Sequence, residues 1–92
     1  SPEFVPQFEQ ALQNVMAVVA AAGARPEGLV SVTIYAVDVP AYRNSLRAIG
    51  EIWRRVVGRH YPAMALVGVT ELVMPGALVE IQAVAVLPEE RP

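Results

Sequence analysis

Between Tyr61 and Leu87 the chain runs through two apolar stretches, residues 63–72 and 77–87, with Pro75-Gly76 between them. Both stretches are strand-like, and the Pro-Gly pair reads as the turn of an antiparallel hairpin that joins them. In residues 79–86, Val79, Ile81, Ala83 and Ala85 alternate with Glu80, Gln82, Val84 and Val86, the period of two expected of a strand. One carboxylate, Glu80, therefore stands inside a segment otherwise built for burial.

The preceding segments supply what such a hairpin packs against. Over residues 5–22 the apolar positions Phe8, Leu12, Val15, Met16 and Val19 recur at spacings of three and four, the stripe of an amphipathic helix. Gly23 suits a C-cap, Arg25-Pro26-Glu27-Gly28 a turn, and Ala20-Ala21-Ala22 lets the helix end approach a sheet closely. Residues 29–37 alternate again, with Val30, Val32, Ile34 and Ala36 on one side and Ser31, Thr33 and Tyr35 on the other. Asp38 offers an N-cap and Pro40 sits where a first helical turn tolerates a missing N–H, so a second helix starts there and ends at Gly58. Its apolar face is Tyr42, Leu46, Ile49, Trp53 and Val56 or Val57; Arg43, Arg47, Glu51, Arg54 and Arg55 lie elsewhere, with Arg47 and Glu51 spaced as an ion pair. The order α-β-α-β-β, with both helices on one face of a small mixed sheet, predicts a two-layer α+β domain. The other sheet face is also substantially apolar and calls for further strands or further copies of the chain.

Composition narrows the function. A chain of 92 residues holds one core, and its 17% charged residues fall below the average of about 25% for soluble domains, so excess apolar surface is expected at a subunit interface. No apolar run approaches the roughly 18 residues of a membrane span. A net charge of −2 supplies no basic field for nucleic acid. Without cysteine there are no disulfides or thiolate metal sites, and the lone His60 makes no zinc site by itself; a reducing cytoplasm fits. Ser1-Pro2-Glu3-Phe4 reads as the scar of a cloning linker, which leaves residues 5–92 as the single domain.

Four pieces in order carry a resemblance: Gln10-Ala11-Leu12-Gln13-Asn14-Val15 followed by Ala20-Ala21-Ala22-Gly23; residues 30–38 from Val30 to Asp38; Tyr61-Pro62-Ala63; and residues 79–86 from Val79 to Val86. Together they resemble the YjgF/RidA, or Rid, family of reactive-intermediate deaminases. The resemblance implies a chorismate-mutase-like (YjgF-like) α+β fold, assembled as a homotrimer with a central sheet barrel and the helices outside. It also implies small-molecule sites in clefts between subunits and hydrolysis of imines and enamines to a keto acid and ammonia. That chemistry needs no cofactor or metal. It asks for a cation on the substrate carboxylate and a positioned water near the imine carbon.

The chain departs from that pattern where the activity is concerned. The position after Tyr-Pro-Ala holds an arginine in the deaminase branch, a planar fork that grips a carboxylate bidentately; here it is Met64. The family's N-terminal hairpin has no counterpart upstream of Phe8, and its asparagine on the second helix is unmatched, with Leu46 near that position and Asn44 displaced by two. Glu80 matches the family glutamate on the last strand. It either orients a water or ligand, or is an interface carboxylate satisfied by backbone N–H groups or an arginine of the next subunit. Tyr61, Met64 and Tyr35 are the further candidates for the cleft lining.

For the remaining residues the structural readings weigh more. His60 lies just past a helix C-terminus, where a cationic imidazole is stabilised, and capping is favoured over catalysis. Met64, Leu66 and Val69 give an apolar pocket floor suited to an apolar ligand if they face the cleft, and are core otherwise. Trp53 reads as the helix-to-sheet anchor. The expectation is thus a Rid-type imine or enamine deaminase of altered range, or a non-enzymatic metabolite-binding module on the same fold. Ribonuclease activity is disfavoured by the acidic pI of 5.2.

Overall fold

The structure, a computed structural model, describes residues 4–89. Helix α1 (Phe4–Ala21) is followed by a short 3-10 turn and strand β1 (Leu29–Ala36); α2 (Val39–Arg43) and α3 (Leu46–Val56) lead to β2 (Ala63–Gly68), and β3 (Val79–Ala85) closes the order. This is the expected α+β class, with helices packed on one face of a mixed three-stranded sheet.

The hairpin is not formed. The sheet order is β2-β1-β3, with β1 parallel to β2 and antiparallel to β3, so the two apolar strands stand at opposite edges. The turn signal itself was sound: Ala77 N–H donates to Met74 O at 3.0 Å and Gly76 has φ 83°, as a type II turn with Pro75 at its second position requires. That turn belongs to a crossing connection between residues 68 and 79. The parallel β1–β2 pair is made possible by α2 and α3, since parallel neighbours need a long crossover.

Helix α1 ends as predicted. Gly23 at φ 92° lets its N–H reach Ala20 O and the Ala24 N–H reach Val19 O, both at 3.0 Å, the double bond of a Schellman cap. The second helix, expected to be continuous, breaks at Asn44-Ser45. Asp38 caps its start, its Oδ1 accepting from Ala41 N–H at 3.1 Å. The Ser45 N–H then turns back to Tyr42 O at 3.0 Å, a tightening that fits the tendency of Asn and Ser to leave helices. The break rotates the apolar stripe: Ile49, Ile52, Trp53 and Val57 are buried, while Leu46, expected on that stripe, is 56% exposed.

The core gathers Phe4, Phe8, Leu12 and Val19 of α1, Leu29, Val32, Ile34 and Ala36 of β1, the α3 stripe, and Val79 and Ile81 of β3. Side chains as buried as Phe8 and Leu12 each contribute about 2 kcal/mol by transfer from water. Phe4, set aside in the sequence as linker, is 1% exposed and meets the Tyr42 ring edge-on at 6.4 Å; it is a core residue of the fold. Of the described residues no polar or charged one is buried. The ion pair that forms among them is Arg55–Glu9 at 2.7 Å, joining α3 to α1, in place of the expected Arg47–Glu51.

Candidate functional site

The sheet face away from the helices is open. Register places Ser31, Thr33 and Tyr35 of β1 beside Ala63, Ala65 and Val67 of β2 and beside Val84, Gln82 and Glu80 of β3, all with side chains on this face. Tyr35 stands directly opposite Glu80 and between it and Val67. Its hydroxyl donates to Gln82 Oε1 at 3.2 Å, a diagonal contact across the strand pair. A carboxylate, a phenol and a carboxamide thus share one solvent-open patch floored by Ala65 and Val67. Glu80 is exposed in the single chain.

Gln82 is the member that sequence reasoning passed over. The signal was present: the period of two set Glu80 and Gln82 on one face, and a long side chain on β1 reaches the diagonal neighbour as readily as the facing one.

Tyr61 and Met64 lie elsewhere. Met64 and Leu66 are in register with Val32 and Ile34, whose side chains are buried beneath the helices, so both point to the helix side. Leu66 packs against the core, which settles it as interior and removes it from the open-face floor. Val69 lies past the end of β2, its N–H bonded to Ala36 O at 3.0 Å. The Tyr61 ring stacks on Trp53 at 6.3 Å and 17°, and Trp53 donates its indole N–H to His60 O at 3.0 Å, so Trp53, expected to anchor its helix to the sheet, is buried and ties α3 to the loop before β2. His60 does not cap the helix. Its Nε2 lies 2.8 Å from Leu29 O at the start of β1, a bond in which the ring must donate, and the histidine pins the loop before β2 to the sheet.

One surface ion pair ties α3 to α1. The Arg55 guanidinium, hydrogen-bonded to Glu9, holds that carboxyl below its usual range and is itself raised by the same bond. Among the described residues no group of three His, Cys, Asp or Glu side chains gathers that would hold a metal ion.

A small mixed sheet with helices on one face and a Tyr-Glu-Gln patch on the other defines a two-layer α+β protein. Residues 1–87 match the family model described as Endoribonuclease L-PSP, and the chain belongs to that family, the YjgF/Rid proteins. It is 33% identical to the RutC family protein UK114 of Drosophila melanogaster over 86% of this chain and 54% of that protein. Among solved structures it is similar to a conserved Rid family protein of unknown function from Yersinia pestis, 35% identical, TM-score 0.77, covering 91% of this chain and 62% of that one. A YjgF/YER057c/UK114 family member from Mycobacterium tuberculosis is 33% identical with TM-score 0.69, covering 83% and 61%. The chain therefore spans between about half and two thirds of the length of these relatives.

Proposed function

We propose that the protein binds a small metabolite at clefts between subunits of a homotrimer and hydrolyses an imine or enamine there, on substrates other than simple imino acids. The observation that carries this reading is the Tyr35–Gln82 hydrogen bond set beside Glu80 on the open sheet face. In such a site Glu80 orients water toward the imine carbon and takes its proton as the carbon–oxygen bond forms, then returns that proton to the nitrogen; the carbinolamine hydroxyl gives up its own proton to the amine as the carbon–nitrogen bond breaks, releasing ammonia and a carbonyl. Tyr35 and Gln82 hold each other in place and offer a hydroxyl and an amide to the ligand.

The four residues first singled out divide between two faces of one chain, Tyr35 and Glu80 on the open face, Tyr61 and Met64 at the β2 edge on the helix side. A cleft that uses all four is built from two copies, which is the reason for proposing an assembly. With Met64 in place of a cation, the cleft has an apolar wall and no grip on a carboxylate, so it favours an uncharged or aromatic substrate. RNA is a poor candidate for a chain of net charge −2.

The test couples an imine-generating amino-acid oxidase or amine oxidase to the purified protein and follows imine decay. Accelerated decay of imines from apolar amines, lost in Glu80→Gln, supports the reading. A protein that accelerates no imine while Glu80→Gln still loses binding of a small apolar ligand is a binding module on the same site.

A further inference from the structure

Gly50 sits in the interior of α3, and nothing within the chain requires a glycine there. The positive φ values of the described residues fall at Gly23, Gly58 and Gly76, and a Cβ built on Gly50 meets no atom within 4 Å. Gly28 is the contrast, since a Cβ on it would stand 2.6 Å from Val86 O. Glycine is the poorest helix former after proline, so α3 carries at position 50 a cost that neither backbone conformation nor packing explains.

The flank on which Gly50 lies follows from its neighbours. Arg55 reaches Glu9 and so marks the side of α3 that faces α1, the helix packed over β3. The opposite flank, toward the β2 side of the sheet, carries Leu46, Gly50 and Trp53, spaced four and three residues apart. Trp53 receives the Tyr61 ring there, and Met64 of β2 points to the same layer. Leu46, Tyr61 and Met64 are 56%, 62% and 43% exposed, so the bare backbone at Gly50 lies beside a row of open apolar side chains, a shelf rather than a packed seam. On its solvent side stand Arg47 and Arg54, three residues before Gly50 and four after it; both are exposed, and the ion pair formed among the described residues uses neither.

We infer that this shelf holds an aryl ring of the substrate, and that Gly50 sets the preference for a flat ring over an alkyl group. A planar ring can lie on peptide groups that any side chain at position 50 would cover. Tyr61, fixed by its stack on Trp53, supplies an aromatic wall, and the guanidinium planes of Arg47 and Arg54 can fold over an arene lying on Gly50, a contact that an alkyl group does not reward. Leu46 and Met64 complete the apolar contact, the flexible thioether adjusting to the ring. The inference rests on the proposed cleft in one respect, that Glu80 of a second copy meets the reacting carbon; the ring itself is held by one copy.

The probes are benzamide, an uncharged planar analogue of an aryl imine, and propionamide, which has no ring. Each is titrated into the 92-residue chain and followed by fluorescence of Trp53, the one tryptophan, and by the side-chain NMR signals of Tyr61 and Met64. Benzamide is expected to saturate and to shift all three. Gly50→Leu fills the shelf and weakens benzamide about tenfold, as the loss of one good ring contact requires, while propionamide is unaffected. Gly50→Ala raises the thermal midpoint by roughly 4–8 °C, because no part of the fold needs the glycine. In the coupled decay assay, the rate ratio of imines from benzylamine to imines from propylamine falls in Gly50→Leu by the same factor as benzamide affinity. Should Gly50→Leu change the assembly seen in sedimentation, Leu46→Gln at an exposed position decides, and is expected to weaken benzamide about threefold.

Benzamide that fails to bind, or that binds Gly50→Leu as tightly as wild type, overturns the inference; so does a lowered thermal midpoint in Gly50→Ala, which would assign the glycine to the fold. The two readings fail separately. Benzamide binding that depends on Gly50 in a protein that hydrolyses no imine keeps the shelf and removes the hydrolase. Hydrolysis whose aryl-to-alkyl ratio is unchanged in Gly50→Leu keeps the hydrolase and removes the shelf.

Discussion

Gln7 and Leu78, 71 positions apart, are joined at 2.8 Å by the Leu78 N–H donating to Gln7 Oε1, while Gln7 Nε2 donates to Gly76 O at 3.1 Å. One side-chain amide at the end of the first turn of α1 thus satisfies backbone groups on both sides of Ala77, where the crossing connection becomes β3. Gln7→Glu keeps the acceptor and loses the donor; Gln7→Ala loses both. The expected destabilisation is about 1 kcal/mol for the alanine variant and less for the glutamate, read from urea midpoints at constant slope.

His60 gives a test of structure against catalysis. Its ring donates to Leu29 O in a half-buried setting, so His60→Ala leaves a carbonyl unpaired and costs about 1–2 kcal/mol in denaturant titrations. Imine turnover or ligand affinity at saturating folded protein is unchanged by this substitution. A loss of activity without loss of stability would make the histidine a functional group.

Phe4 is expected to behave as core. Phe4→Ala removes a ring that is 1% exposed and packed against Tyr42, at a cost of about 3–5 kcal/mol, a large part of the stability of a domain this size. Thermal unfolding of that variant, or of a chain beginning after residue 4, measures it.

The Glu9–Arg55 bridge sets a modest pH dependence. Because its folded value lies below the ordinary one, the Glu9 carboxylate contributes stability that is complete above the ordinary carboxylate range and is lost as pH falls through the lowered folded value. Arg55, raised from an already high value, stays charged across that window. Both side chains are open to solvent, so the effect is small and screened by salt. Urea titrations of wild type and Glu9→Gln are expected to differ above the ordinary carboxylate range and to converge as pH falls below the lowered folded value, with the gap narrowing in high salt.

Met64→Arg tests the specificity argument. If Met64 forms the apolar wall of a cleft between copies, an arginine there raises the turnover of imino acids and lowers that of imines from uncharged amines, both followed in the coupled decay assay. An arginine at 64 that changes neither rate removes this residue from the site.

The elements that could be read from the sequence were those whose pattern is local. The stripe Phe8, Leu12, Val19 and the alternation around Ile34 and Ile81 answer to helix and strand periods, and the structure buries these residues. What failed was pairing. Residues 63–72 and 77–87 look like hairpin partners because they are neighbours in the chain, yet β1 is apolar enough on its helix side to take both, and the connection between them is too long for a tight turn. Leu46 was misplaced by a helix break that periodicity does not register. For the site, the face shared by Tyr35 and Glu80 was legible in their alternation, whereas the side on which Met64 lies depended on the register with Val32, which no local pattern contains.

Strand β2 carries a different consequence. Of its six residues only Leu66 is even half-buried, and it is bonded to β1 along one side alone. The free energy needed to release it is therefore far below that of global unfolding, and the layer of α1, β1 and β3 can persist while residues 61–68 detach. In an isolated chain this strand opens first; a neighbour seated on the open face would lengthen its closed lifetime. If the proposed cleft is occupied, its occupancy and the order of β2 are linked, and the expected outcome is that ligand binding slows amide exchange in β2 more than anywhere else in the sheet.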